Sequence, residues 1–202
     1  MNAEPVALDY GYKSLADLVA PVDFRDIFGR PAPVELEIGA GRGDFMVQYA
    51  TAQPDVNFMA VERKLVVLRK IVSKVQRAGL SNVQVLNVEV RHFLREYIAR
   101  ESLRAVHVYF PDPWPKRHHA HRRLMVHEEN IELIIRSIEP GGHLHFRTDV
   151  PGYYDLALQL LQARTELQRI DVPIQLASVK TGYETRFHRQ GIATFSASYI
   201  KG

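Results

Sequence analysis

The chain has 202 residues, of which 46% are hydrophobic and 24% charged, and a formal net charge of +3 at neutral pH. This balance is that of a globular protein and excludes disordered and collagen-like classes, while the apolar runs are far too short to span a bilayer. With no cysteine, disulfides and thiolate-held zinc or iron-sulfur centres are excluded as well.

Residues 1–18 show neither the basic start nor the apolar run of a secretory signal, so a cytoplasmic address is expected. The length favours a single domain over residues 1–202, with 1–33 as a short N-terminal extension. Val34 to Ala40 is predicted as the first strand, running into a turn that carries Gly39, Gly41 and Gly43. A helix is expected over Gly43 to Ala52, then a strand over Asn57 to Val61. Lys64 to Ala78 places Leu68, Ile71, Val72 and Val75 on one helical face, and Gly79 stops it. Lys70, Lys74 and Arg77 share another face of that helix, either solvated or in contact with RNA. Strands follow at Val83 to Val88 and Ala105 to Phe110, a helix at Leu124 to Ile138, and a strand at His143 to Thr148. Tyr153 to Arg164 reads as a helix with Pro151 near its first turn, and Thr194 to Ile200 as the last strand. Such alternation predicts an α/β fold of parallel strands joined by right-handed crossovers, with chemistry at the carboxyl ends of the strands.

Three carboxylates stand at those ends. Glu37 precedes the glycine turn, in a position where a core-facing carboxylate needs a partner such as a bound ammonium. Glu62 ends the second strand, about twenty residues after the glycines, where it can accept from both hydroxyls of a ribose. Glu89, in NVEV, ends the third and faces the expected position of an adenine. Glu62 and Glu89 each also suit a solvated surface charge. An acidic rim repels a pyrophosphate but suits a ligand with a sulfonium, an amino group and a ribose, which is S-adenosylmethionine.

The fourth strand turns abruptly into PDPWPKRHHAHRR. Pro111, Pro113 and Pro115 prevent regular hydrogen bonding and hold Asp112 and Trp114 in a stiff loop. Lys116, Arg117, Arg122 and Arg123 follow at once, and basic groups beside an aromatic ring suit nucleic acid. His118, His119, His121 and His127 crowd the same stretch; without cysteine or a supporting carboxylate among them, no metal site is expected.

PDPWPK with its basic sequel resembles the bacterial tRNA (guanine-N7-)-methyltransferase family. EIGAGRG at Glu37 to Gly43, VER ending at Arg63, NVEV, HFRTD ending at Asp149 and TGYETRF at Thr181 to Phe187 recur in the family's order. The resemblance covers about residues 34 to 200. It implies a Rossmann-like class I methyltransferase sheet, mostly parallel with an antiparallel last strand, using S-adenosylmethionine to methylate N7 of a tRNA guanine in the variable loop. It further implies Glu37, Glu62, Glu89 and Asp112 on the cofactor side, and Lys116, Asp149, Thr181, Gly182, Tyr183 and Glu184 on the substrate side. Three positions depart from the pattern: Glu89 stands where Asp is usual, His118 and His121 where Arg and Lys are typical, and the region before Val34 is short.

Guanine N7 presents a free lone pair, so positioning is expected to dominate the rate. Asp112 is the candidate catalytic carboxylate, stabilising the positive charge that grows on the base. Asp149 and Glu184 are candidates for the guanine N1 and N2 edge, Thr181 and Lys116 for the nucleotide and its phosphate, and Trp114 or Tyr183 for holding an unstacked base. A protein or small-molecule acceptor, or a non-catalytic RNA-binding module, remain the alternatives. Both monomer and homodimer are compatible with the sequence.

Overall fold

The computed structural model describes residues 11–112 and 123–202. Residues 11–33 contribute a two-residue strand, Lys13–Ser14 (β1), and a short helix, Phe24–Phe28 (α1), with Asp23 capping its first turn and Gly29 ending it in the left-handed conformation. These residues belong to the body of the fold: β1 pairs with a sheet strand, and Leu15, Leu18, Val22, Phe24 and Phe28 cover one core cluster.

Next come Val34–Ile38 (β2), Asp44–Ala52 (α2), Asn57–Val61 (β3), Leu65–Arg77 (α3) and Val83–Asn87 (β4). The helix α3 buries Leu68, Ile71, Val72 and Val75, the face its periodicity predicts. A single turn at Val90–His92 (α4) runs into a π-turn over Phe93–Tyr97, and Leu103–Tyr109 forms β5. After residue 122 come Glu128–Ser137 (α5), Ile138–Thr148 (β6), Pro151–Gln162 (α6) and Leu167–Ile170 (β7). Ile174–Ser178 (α7), Gly182–Arg189 (α8) and Phe195–Lys201 (β8) complete the chain.

The sheet order is β1-β4-β3-β2-β5-β6-β8-β7. The pairs of β2 with β3 and β5, of β4 with β1 and β3, and of β5 with β6 are parallel; β8 is antiparallel to both β6 and β7. Strand order reverses between β2 and β5, so the crevice at their carboxyl ends is the topological switch point where such sheets take ligands. Every residue of β2 and β3 is buried, as expected for central parallel strands covered on both faces. One face is filled by Leu36, Met59 and Val106 under α5 and α6, the other by Phe45, Phe58, Ala60 and Leu68 under α2 and α3.

Candidate active site at the carboxyl ends of the strands

The turn from β2 into α2 has Gly39, Gly41 and Gly43 at φ of 73°, 55° and 71°, a left-handed course that side chains with a Cβ resist. Gly39 and Ala40 donate their N–H groups to the Val61 carbonyl at 2.9 and 3.0 Å, which ties the turn to the end of β3. Gly43 also lets α2 approach α3, since a Cβ there would sit 2.9 Å from Ile71 Cγ2. Replacing Gly43 by Ala is therefore expected to strain the turn and cost about 1–3 kcal/mol of stability, read by denaturant unfolding. An unchanged unfolding midpoint would show that the turn does not need this glycine.

By strand alternation Glu35 and Glu37 leave β2 on the same face, and the fold treats them in opposite ways. Glu35 accepts from Arg104 Nε at 2.8 Å and, with its other oxygen, from His107 Nε2 at 2.8 Å. Burial alone would raise its pKa, but these partners bring it below the usual value. Glu37 is equally buried, 3% exposed, and its Oε2 has no hydrogen-bond partner. Burial pushes its pKa up to about 8, with the nearby Arg147 charge opposing and Asp44 and Glu62 adding to the rise. An orphaned buried carboxylate at the switch point is the group that a ligand ammonium would satisfy.

Glu62, half-buried just past β3, accepts from Gly41 N at 3.2 Å through Oε2 and from Lys64 N at 2.8 Å through Oε1. Each oxygen keeps a lone pair for a further donor. Glu89 caps α4: it accepts from His92 N at 2.9 Å and from Arg91 Nε at 3.1 Å. Its partial burial raises the pKa, but these bonds outweigh it and leave the carboxyl below its usual range. Asp112 is exposed beyond β5, two residues after Phe110, whose φ of 50° is unusual for a residue with a side chain. Phe110 N donates to the Arg147 carbonyl at 2.8 Å, and its ring lies 5.8 Å from that of Phe187 on α8. The chain thus holds a costly backbone conformation where it delivers Asp112, as functional sites often do.

Thr181 is the cap of α8: its Oγ1 accepts from Glu184 N at 3.0 Å, while Glu184 Oε2 approaches Thr181 N at 3.4 Å. The pair is a capping box, a local signal in TGYE that marks this helix in the sequence despite its lack of an apolar stripe. Tyr183 is 49% exposed, Gly182 abuts the Asp44 carboxylate closely enough that a Cβ would collide with it, and Asp149 is half-buried after β6. Trp114, Lys116, Arg117, His118, His119, His121 and Arg122 lie outside the described residues.

Arg147 is the site residue that sequence reasoning overlooked. It is 3% exposed on β6, with its guanidinium 4.4 Å from the centre of the Tyr109 ring. It donates from Nη1 to the Val179 carbonyl at 2.9 Å and to Glu184 Oε2 at 3.0 Å, and from Nη2 to the Leu176 carbonyl. One side chain therefore holds α7 and α8 against the sheet beside Glu37. A guanidinium inside an apolar strand, HLHFRT, was the available signal. Arg147→Ala is expected to destabilise the fold by about 3–5 kcal/mol, because Glu184 is left buried without its cation. Adding Glu184→Gln should recover part of that loss; a double variant no more stable than the single would refute the pairing as the cause.

A sheet reversing between β2 and β5, an antiparallel β8 and a carboxylate rim at the switch point are the features of a class I methyltransferase. The 16S rRNA methyltransferase KamB shares this fold at a TM-score of 0.62 and 17% identity, over 89% of this chain and 93% of that one. Residues 31–197 match a family model described as "Putative methyltransferase". The tRNA (guanine-N(7)-)-methyltransferase of Syntrophotalea carbinolica is 37% identical over 178 residues, 86% of this chain and 76% of that one. Its counterpart from Mycobacterium ulcerans is 37% identical over 180 residues, 86% of this chain and 64% of that one. The chain belongs to the tRNA (guanine-N(7)-)-methyltransferase family.

Proposed function

We propose that the chain transfers a methyl group from S-adenosylmethionine to N7 of a guanine in the variable loop of tRNA. The observation that carries this reading is the unpartnered, buried Glu37 carboxylate beside the glycine turn. When bound, S-adenosylmethionine supplies an electrophilic methyl group on a sulfonium. Glu37 receives its ammonium, Glu62 accepts from the ribose hydroxyls with its remaining lone pairs, and Glu89 marks the adenine end. The turn at Gly39, Gly41 and Gly43 lets the backbone come close to the ligand.

Guanine N7 needs no base to expose its lone pair, so the protein contributes alignment and charge. Asp112 stabilises the positive charge that develops on the base. Asp149 and Glu184 accept from the N1 and N2 edge; for Glu184 this falls to Oε1, because Oε2 serves Arg147. The Thr181 hydroxyl, which accepts from Glu184 N, keeps its proton to donate to the nucleotide. Tyr183 offers an exposed ring for the unstacked base, and Lys116 a cation for its phosphate.

The test is to incubate unmodified tRNA with the protein and methyl-labelled cofactor, digest it, and map the label by mass. N7-methylguanosine confined to the variable loop is expected. Label in another nucleotide, in protein or in a small molecule overturns the acceptor, and no transfer with intact cofactor binding favours the RNA-binding module.

A further inference from the structure

Two hollows flank the first turn of α2. The first, of about 330 Å³, is lined by Arg42, Arg69, Lys70, Lys74 and Arg77 around Asp44. The second, of about 320 Å³, is lined by Lys180, Arg186 and Arg189, by Gly182 of the proposed substrate segment, and again by Asp44. Eight basic side chains thus surround a single carboxylate, a net of +7 on a chain whose total is +3, so the remainder of the molecule is acidic. Of the eight, only Lys74 forms an ion pair with a carboxylate among the described residues, and its partner is Asp44. Arg186 instead lies 5.1 Å from the centre of the Tyr183 ring, which joins the strip to the segment beginning at Thr181.

Seven cations without carboxylate partners among the described residues, in concave surface, repel one another unless counterions or an external polyanion compensate them. A flat solvated face would intersperse both signs. We infer that this strip, running from α8 across the start of α2 to α3, is a docking track for the phosphate backbone of the RNA whose guanine enters the site. The inference rests on the proposed RNA substrate and adds the surface that carries its affinity. The strip faces a polyanion with no base-reading requirement: its cations position the RNA, and the site beside Gly182 selects the base.

The experiment uses the full chain and the triple variant Arg69→Gln, Lys70→Gln, Arg77→Gln, three exposed positions on α3 whose loss leaves the buried face intact. Unfolding midpoint and cofactor affinity are measured first and should match the parent. Affinity for tRNA at 0.1 M salt should then fall about tenfold or more, with the log-log salt slope shallower by about 2–3, from 0.7–0.9 per lost contact. The activity loss should fall on KM for tRNA. A second variant, Arg189→Gln on α8, should reduce the slope by about one contact on its own. If the parent methylates tRNA while the triple variant keeps its affinity and slope, the strip is overturned and the substrate reading stands. A parent that neither binds nor methylates tRNA overturns both. Binding to vesicles containing anionic phospholipid that is lost in the triple variant, with tRNA affinity untouched, assigns the strip to a lipid surface and likewise refutes the inference.

Discussion

Asp112→Ala is expected to lower kcat for methyl transfer by about 10²–10³-fold, the range seen when one group placed against developing charge is removed. The side chain is exposed, so its truncation should leave stability within about 0.5 kcal/mol of the parent. The backbone around it is fixed by other groups: Phe110 holds its left-handed φ of 50° through its N–H bond to Arg147 and its ring contact with Phe187, and the ring of Pro111 locks its own φ immediately before Asp112. Asp112→Asn, which keeps the shape and removes the charge, should share most of the loss if charge is what matters. Cofactor affinity, measured by calorimetry, should stay near the parent's in both variants. Turnover within a few-fold of the parent in either variant would remove Asp112 from the chemistry.

Glu37→Gln should weaken binding of S-adenosylmethionine by about 30- to 150-fold, the cost of losing a charge-assisted hydrogen bond of about 2–3 kcal/mol in a buried site. The pH dependence is the more specific sign. Burial holds the Glu37 pKa at about 8, so in the free protein the carboxyl is protonated at neutral pH. A ligand ammonium favours the ionised form, and binding must therefore expel a proton. Affinity is expected to rise by up to about tenfold per pH unit as pH climbs from 6 towards 8, and the Gln variant should lose that slope. Because the folded-state pKa is raised, the same group makes the free protein lose stability as pH rises from the ordinary carboxyl value of 4.5 to about 8, and bound cofactor restores it. Calorimetry of binding at pH 6.5 in two buffers of different ionisation enthalpy reads the proton directly. A parent that releases none, or a variant with the parent's pH slope, refutes the role.

The sequence determined the architecture and the placement of carboxylates at the strand ends, because both are written in local pattern. Short apolar runs and the α3 stripe at Leu68, Ile71, Val72 and Val75 match the strands and helix observed, within a residue or so for Asn57–Val61 and Leu65–Arg77. The glycines of the β2–α2 turn and the strand-end positions of Glu37 and Glu62 follow from the same local geometry. Elements lacking such a pattern were not legible: β1 is two residues long, β7 presents four only partly covered residues at the sheet edge, and α8 is polar and is announced only by its Thr181–Glu184 cap. Only the tertiary structure decided which groups meet. It separates Glu35, satisfied by Arg104 and His107, from Glu37, which is left without a partner, although the two stand two residues apart on one strand. It brings Arg147 to Glu184, and the cations of α3 to those of α8, across wide separations in the chain. Periodicity fixes which face a residue takes. Partnership depends on the register of strands and on how far buried side chains reach across the sheet, and that is a property of the assembled fold.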